Sequence, residues 1–322
     1  MVSRTVVVGS AMLGVAAASW GGLFPVAQSA LVAIDAFHLT LFRYGLGALI
    51  FAAILATTEG RRALRTEGRL IELGLFGTLG YAGFSLFVFT GLPLTTSEHA
   101  AVIVTMMPLA TALALWATRG ERPRPATFVA IALATVGVAL IVSKGEPARL
   151  LSAGGTLGDA LVFIGACCWM LYTIGASRFV GWSPLRYATM TCLPGAAIIA
   201  LFTVAAGYLG YAPSPSLSTL SLVWPELGYT LVLASVVAVL AWNAGIRSLG
   251  AANGVLFINL VPVTAFAIGL IQGHTFHWTE IAGSGLTLLA LFVNGLWRRA
   301  PGARSKVQAS AARPLTVCAQ NG

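Results

Sequence analysis

The chain alternates long apolar runs with short polar gaps. A helix needs about 20 mostly apolar residues to cross a bilayer, and ten runs qualify: 6–32, 37–57, 70–92, 96–117, 126–143, 156–180, 184–207, 226–248, 251–272 and 278–297. The gaps carry charge or turn formers, as in Glu59-Gly60-Arg61-Arg62, Arg119-Gly120-Glu121-Arg122-Pro123 and Pro213-Ser214-Pro215. No stretch alternates apolar and polar residues with a period of two, the mark of a transmembrane β-barrel. The pattern predicts an all-α membrane protein of ten transmembrane helices. A cleaved leader is disfavoured: Arg4 and Ala16-Ala17-Ala18 have its outline, but the first run continues past Trp20 to Val32, too long for a leader.

Composition agrees. Hydrophobic residues make up 57% of the 322 and charged residues 9%, against about 45–50% and about 25% in soluble domains. The net charge of +9 could suggest nucleic acid, but such binders gather Lys and Arg on one folded face or motif. Here they fall in the gaps. With the N-terminus inside, sixteen of the nineteen face the cytoplasm, only Lys144 and Arg149 face outward, and Arg43 lies within a helix. That positive-inside bias predicts two cytoplasmic termini in a bacterial inner membrane, with 299–322 a disordered basic tail. Cys167, Cys168, Cys192 and Cys318 form no C-x-x-C pair, so neither a disulfide framework nor a zinc site is signalled.

The chain repeats itself. Trp20 recurs as Trp169 at an offset of 149, and Gly47-Ala48 as Gly195-Ala196 at 148. Phe89-Thr90-Gly91-Leu92 matches Asn243-Ala244-Gly245-Ile246, and Met107-Pro108 matches Val261-Pro262, both at 154. Five helices per copy is an odd number, so the second copy enters the membrane from the opposite side. Inverted repeats of this kind recur in secondary transporters, where the halves exchange roles to open one site to alternate faces. The domains expected are 1–150 and 151–298, a five-helix repeat each, followed by the tail.

These residues resemble the drug/metabolite transporter superfamily in its ten-helix form with two EamA-type repeats. The marks are Ser19-Trp20-Gly21-Gly22, Asp35 with Arg43 eight residues later, Ala100-Ala101 ahead of Met107-Pro108, Gly120-Glu121, and Ala252-Asn253-Gly254 ahead of Pro262. The second repeat departs from the pattern, with His274 after Gly273 and Thr191 where the first has Arg43. Trp169-Met170-Leu171-Tyr172 and Ala241-Trp242-Asn243-Ala244-Gly245-Ile246 look most like the bacterial aromatic amino-acid exporter branch. The resemblance implies a small-molecule exporter, with amino acids and related metabolites as substrates. Lipophilic cations or nucleosides are the alternative.

Charge inside the membrane is costly and usually marks ion paths. Arg43 alone lies well inside a predicted span, while Glu72, Glu98, Asp159, Glu226 and Glu280 fall near helix ends. This disfavours a deep proton relay; coupling through Glu98, His99 or Asp159 is the weaker alternative. Arg43 could hold a substrate carboxylate, but a structural role is favoured, snorkelling or pairing with Asp35. Gly74, Gly77, Gly80 and Gly83 form a small-residue ridge suited to close packing or to bending, and Pro25, Pro108 and Pro262 are expected to kink their helices. Repeat symmetry places the substrate between Trp20 and Trp169, walled by Tyr81, Met107, Tyr172, Trp242 and Asn259, with Pro25, Gly80, Pro108, Pro262 and Arg43 as gating or structural residues.

An intramembrane enzyme is the competing class, but G-x-S-x-G, H-E-x-x-H and D-D-x-x-D are all missing from the sequence, and with them the common nucleophile and metal-site signatures. A channel would favour rings of carbonyls or charges around a continuous pore. The partners expected are a small-molecule substrate and the lipid bilayer, without nucleic acid, metal or cofactor, in a monomer.

Overall fold

The computed structural model describes residues 4–95, 100, 103–120, 122–143, 146, 148, 156–271 and 277–297. Glu98, His99, Ala101, Glu121, Lys144, Arg149, His274 and the tail from 299 lie outside them. Ten helical passages follow: α1 (Arg4–Ala30), α2 (Ala36–Thr58) and α3 (Leu70–Leu94), then α4 (Met107–Arg119), α5 (Pro125–Ser143) and α6 (Thr156–Gly175). α7 (Pro184–Tyr208) and α8 (Trp224–Leu249) come next. α9 is built from Ala251–Gly254, Val255–Asn259 and Leu260–Ile271, and α10 is Trp278–Trp297. Six of the passages are long and apolar enough to span a bilayer individually. No strand occurs among the described residues, so the chain is an all-α multi-pass membrane protein.

Local chemistry sets the helix starts. The Asp35 carboxylate accepts from the backbone N–H groups of Phe37 and His38 at 2.9 and 3.0 Å, capping α2. Ser183 caps α7 by accepting from the Arg186 N–H, with Pro184 at the first helical position, where its missing donor costs nothing.

The packing partners reveal the symmetry. α1 packs on α8 and α6 on α3, which are the same pair under exchange of repeats; α2 packs on α7, α5 on α10 and α4 on α9, each helix meeting its own repeat mate. A twofold operation leaves this set unchanged, as two inverted five-helix repeats require. The two hetero-pairs cross through matched glycines. A Cβ at Gly245 in α8 would stand 2.9 Å from the Gly9 carbonyl oxygen of α1, and one at Gly91 in α3 would stand 2.8 Å from that of Gly158 in α6. Small residues let membrane helices approach this closely.

Regular α-helix fails where the repeats face each other. Among the described residues three π-helical stretches occur: Phe42–Leu46 in α2, Thr78–Gly83 in α3 and Val232–Val237 in α8. The last two are repeat mates. Such bulges are rare and frequently mark functional sites. The prolines act differently from expectation. Rather than kinking continuous helices, each falls within the first three residues of a segment that restarts after an interruption: Pro25 after the turn at Gly21-Gly22, Pro108 after Thr105-Met106, and Pro262 after the 3-10 stretch Val255–Asn259. The first four N–H groups of a helix have no internal acceptor, so these prolines forfeit no bond.

At the arginine-rich end, the connection between α2 and α3 is strapped to the one between α6 and α7. The Arg186 guanidinium donates to the Ala63 carbonyl and to Glu67, which also accepts from the Trp182 indole.

Candidate functional site

At the crossing of α1, α2, α3, α4, α6 and α9, a small cavity is lined by Trp20, Arg43, Tyr44, Phe84, Met107 and Trp169, with further apolar side chains completing it. Trp20 and Trp169 meet edge to face with ring centroids 5.5 Å apart. Trp242 packs behind both, at 5.3 Å from Trp20 and 6.5 Å from Trp169. The cavity volume is about 30 Å³, room for no more than a few waters. The rings themselves fill the centre, and a small organic molecule fits there only if they part.

The indole positions are fixed by hydrogen bonds. Trp20 Nε1 donates to the Ala234 carbonyl at 2.9 Å, and Trp242 Nε1 to Thr173 Oγ1 at 3.1 Å. Ala234 lies in the π-helical turn of α8, where the widened ladder frees its carbonyl for side chains.

Arg43 departs furthest from expectation. It neither snorkels nor pairs with Asp35. Its side chain is 1% exposed, and Asp35 is engaged at the end of α2, capping the helix and holding His38 Nδ1 at 2.7 Å. Arg43 lies inside the π-helical stretch of α2, where the extra residue in the turn changes the direction side chains take. From there it reaches across to α8: Nε donates to Ser235 Oγ at 2.6 Å and Nη2 to the Ala234 carbonyl at 3.0 Å. Ser235 in turn donates to the Thr230 carbonyl. The guanidinium carbon stands 4.6 Å from the Tyr44 ring centre and 5.6 Å from that of Phe89. Nη1 has no partner, and neither have the nearby Tyr44 and Ser85 hydroxyls. Among the described residues no carboxylate lies within ion-pair distance of Arg43. A buried cation without a counter-ion is costly, and this one lines the cavity.

The remaining expected residues form an outer layer. Tyr172 lies 5.0 Å from the Trp169 ring and Tyr81 5.4 Å from that of Tyr172, both fully buried behind the cavity wall. Gly80 admits Tyr172: a Cβ there would stand 2.5 Å from its ring. Asn259 is buried with both amide atoms unpartnered, while its neighbours Ile258 and Val261 line the cavity. Sequence reasoning missed Tyr44, Ser85, Ala234 and Ser235. The one available signal was that Ser235 sits 154 residues after Tyr81, the offset of the α3–α8 match.

Residues 7–143 and 156–296 each match the model of the EamA-like transporter family. A protein named uncharacterized transporter YrdR, of Bacillus subtilis strain 168, is 32% identical over 289 residues, spanning 88% of this chain and 90% of the relative. YyaM of the same strain, also named an uncharacterized transporter, is 30% identical over 84% of this chain and 87% of its own length. A protein named uncharacterized inner membrane transporter YedA, of Escherichia coli K12, is 26% identical over 61% of this chain and 63% of its own length. A solved crystal structure shares the fold with a TM-score of 0.71, over 93% of this chain and 99% of that one, at 22% identity.

Proposed function

Since the chain belongs to the EamA-like transporter family, we propose that it exports small molecules bearing an anionic end and a planar or apolar body, hydrophobic and aromatic amino acids among them. The observation that carries this reading is Arg43, a buried guanidinium with a free N–H and, among the described residues, no carboxylate partner, at the wall of an aromatic cavity. A substrate carboxylate there gains charge-assisted hydrogen bonds in a dry site and supplies the missing counter-charge. The Trp20 and Trp169 rings offer stacking surface to the rest of the molecule. A lipophilic cation meets repulsion at the same spot, which weighs against the multidrug alternative.

Alternating access is the mode that inverted repeats favour. In that scheme the closely packed rings are the occluded centre, and the restarting segments of α4 and α9 are where each half rearranges. The Lys/Arg distribution supports an inner-membrane orientation with both termini cytoplasmic.

Counterflow in proteoliposomes tests the reading. Vesicles preloaded with L-phenylalanine should accumulate labelled L-phenylalanine and be inhibited by 3-phenylpropanoate, and neither phenethylamine nor tetraphenylphosphonium should exchange. Exchange of either cation at the L-phenylalanine rate would overturn the proposal.

A further inference from the structure

A second and larger cavity, of about 300 Å³, opens at the arginine-rich end of the bundle, between the ends of α6 and α8 and the starts of α7 and α9. It lies at the lower end of the range for small-molecule pockets, roughly 300–1,000 Å³. Arg247, Asn243, Tyr187, Trp182, Ser177 and Ala176 are among its walls. Two of its polar groups share one helix face, because Asn243 and Arg247 are four residues apart on α8.

Asn243 is 4% exposed and belongs to a hydrogen-bonded chain. Its Nδ2 donates to the Tyr172 hydroxyl at 2.7 Å, the Tyr172 and Tyr81 hydroxyls are 3.0 Å apart, and Tyr81 donates to the Ala188 carbonyl at 3.1 Å. Each tyrosine has one proton to give. All three contacts carry a hydrogen only if Asn243 turns its NH₂ to Tyr172. Its Oδ1 is then the free end, and it has no partner. Arg247 is exposed and donates to the Trp182 carbonyl; among the described residues no carboxylate lies within ion-pair distance of it. The vestibule thus has a cation on its wall and, buried beside its aromatic rings, an acceptor without a partner.

We infer that this vestibule is a first docking station for a zwitterion, with Arg247 holding the carboxylate and Asn243 Oδ1 accepting from the ammonium. The inference rests on the carboxylate-bearing substrate proposed above. A single ring divides the two sites: Tyr172 lies 5.0 Å from Trp169 of the central cavity and stacks 5.0 Å from Tyr187 of the vestibule. An ammonium group on Asn243 sits one side chain from the Tyr172 hydroxyl, so docking bears directly on the partition that must move to admit the substrate to Arg43.

The test is ligand protection of Ala176→Cys, in full-length protein carrying Cys167→Ser and Cys318→Ser, in lipid nanodiscs with a methanethiosulfonate reagent. L-Phenylalanine should slow modification saturably, at a concentration at least fivefold lower than 3-phenylpropanoate, which lacks the ammonium. Protection should persist with Arg43→Gln, which removes the central anion site. It should be lost with Arg247→Gln, and Asn243→Leu should erase the fivefold preference. Loss of protection with Arg43→Gln alone would mean that the effect arises from the central cavity, and would overturn the vestibule site. Absence of protection, or protection surviving Arg247→Gln, would overturn it as well. If Arg43→Gln or Asn243→Leu fails to purify folded, the exposed Arg247→Gln decides alone. Failure of the carboxylate reading is separately visible, as counterflow of L-phenylalanine undiminished by Arg43→Gln.

Discussion

Trp169 stands at the centre of the aromatic cluster, with four ring neighbours to lose. It is 3% exposed, and its ring stands 5.5 Å from Trp20, 5.4 Å from Phe84, 5.0 Å from Tyr172 and 6.5 Å from Trp242. Trp169→Ala removes a buried aromatic and leaves a hole between helices that cannot close it, at a cost of about 3–5 kcal/mol of stability. Its effect on binding is separate. Loss of one stacking wall costs roughly 0.5–1.5 kcal/mol beyond lost area, or about 2- to 13-fold in affinity. Trp169→Phe keeps a ring and should retain most of the stability and part of the binding. The assay is a thermal melt of purified protein, followed by L-phenylalanine counterflow on monodisperse material reconstituted at equal density. Folded Trp169→Ala exchanging L-phenylalanine with wild-type half-saturation would refute the assignment of this ring to the substrate site.

Other expectations follow from other parts of the fold. Gly91→Leu and Gly245→Leu should each prevent close crossing of a helix pair, because even a Cβ meets a carbonyl oxygen at under 3 Å; yield and melting temperature should fall, and wild-type values would contradict the crossing. Exchange should persist when the proton gradient is collapsed at constant pH, since no acid among the described residues lines the central cavity; complete loss would reveal proton coupling. In intact cells, an impermeant thiol reagent should label Ser214→Cys, between α7 and α8, and spare Thr66→Cys, between α2 and α3; the reverse would invert the topology. The Arg186 guanidinium holds the Glu67 carboxyl below its ordinary value of 4.5. A lowered native pKa contributes stability above the unfolded value and loses it on acidification. The melting-temperature gap between wild type and Glu67→Gln should therefore be constant above pH 4.5 and close below it.

The helices were legible because the bilayer demands long apolar runs whatever lies within them. The repeat was legible in matched positions such as Gly91 and Gly245, but which helices pack on which was not. The inward faces were not legible. Leu13 and Phe51 are buried while Leu49 and Leu201 face outward, and lipid is as welcoming to leucine as the core is, so the amphipathic signal of a soluble helix vanishes. The interruptions were equally silent, because a π-turn such as Val232–Val237 replaces one apolar stretch with another. The partner of Arg43 was misread for that reason. Asp35 stood two turns away along an ideal helix, but it was already committed to the α2 cap, and the π-helical stretch delivers the guanidinium to α8.

The central claim is that Arg43 holds the anionic end of the substrate, and binding of paired ligands to Arg43→Gln tests it most directly. Charge-assisted hydrogen bonds are worth about 1.5–3 kcal/mol, so affinity for L-phenylalanine should fall roughly 10- to 150-fold by titration calorimetry in nanodiscs. Phenethylamine, which has the ring and the amine without the carboxylate, should bind the variant at least as well as it binds wild type. Unchanged L-phenylalanine affinity in a folded Arg43→Gln protein, or an equal loss for both ligands, would contradict the account.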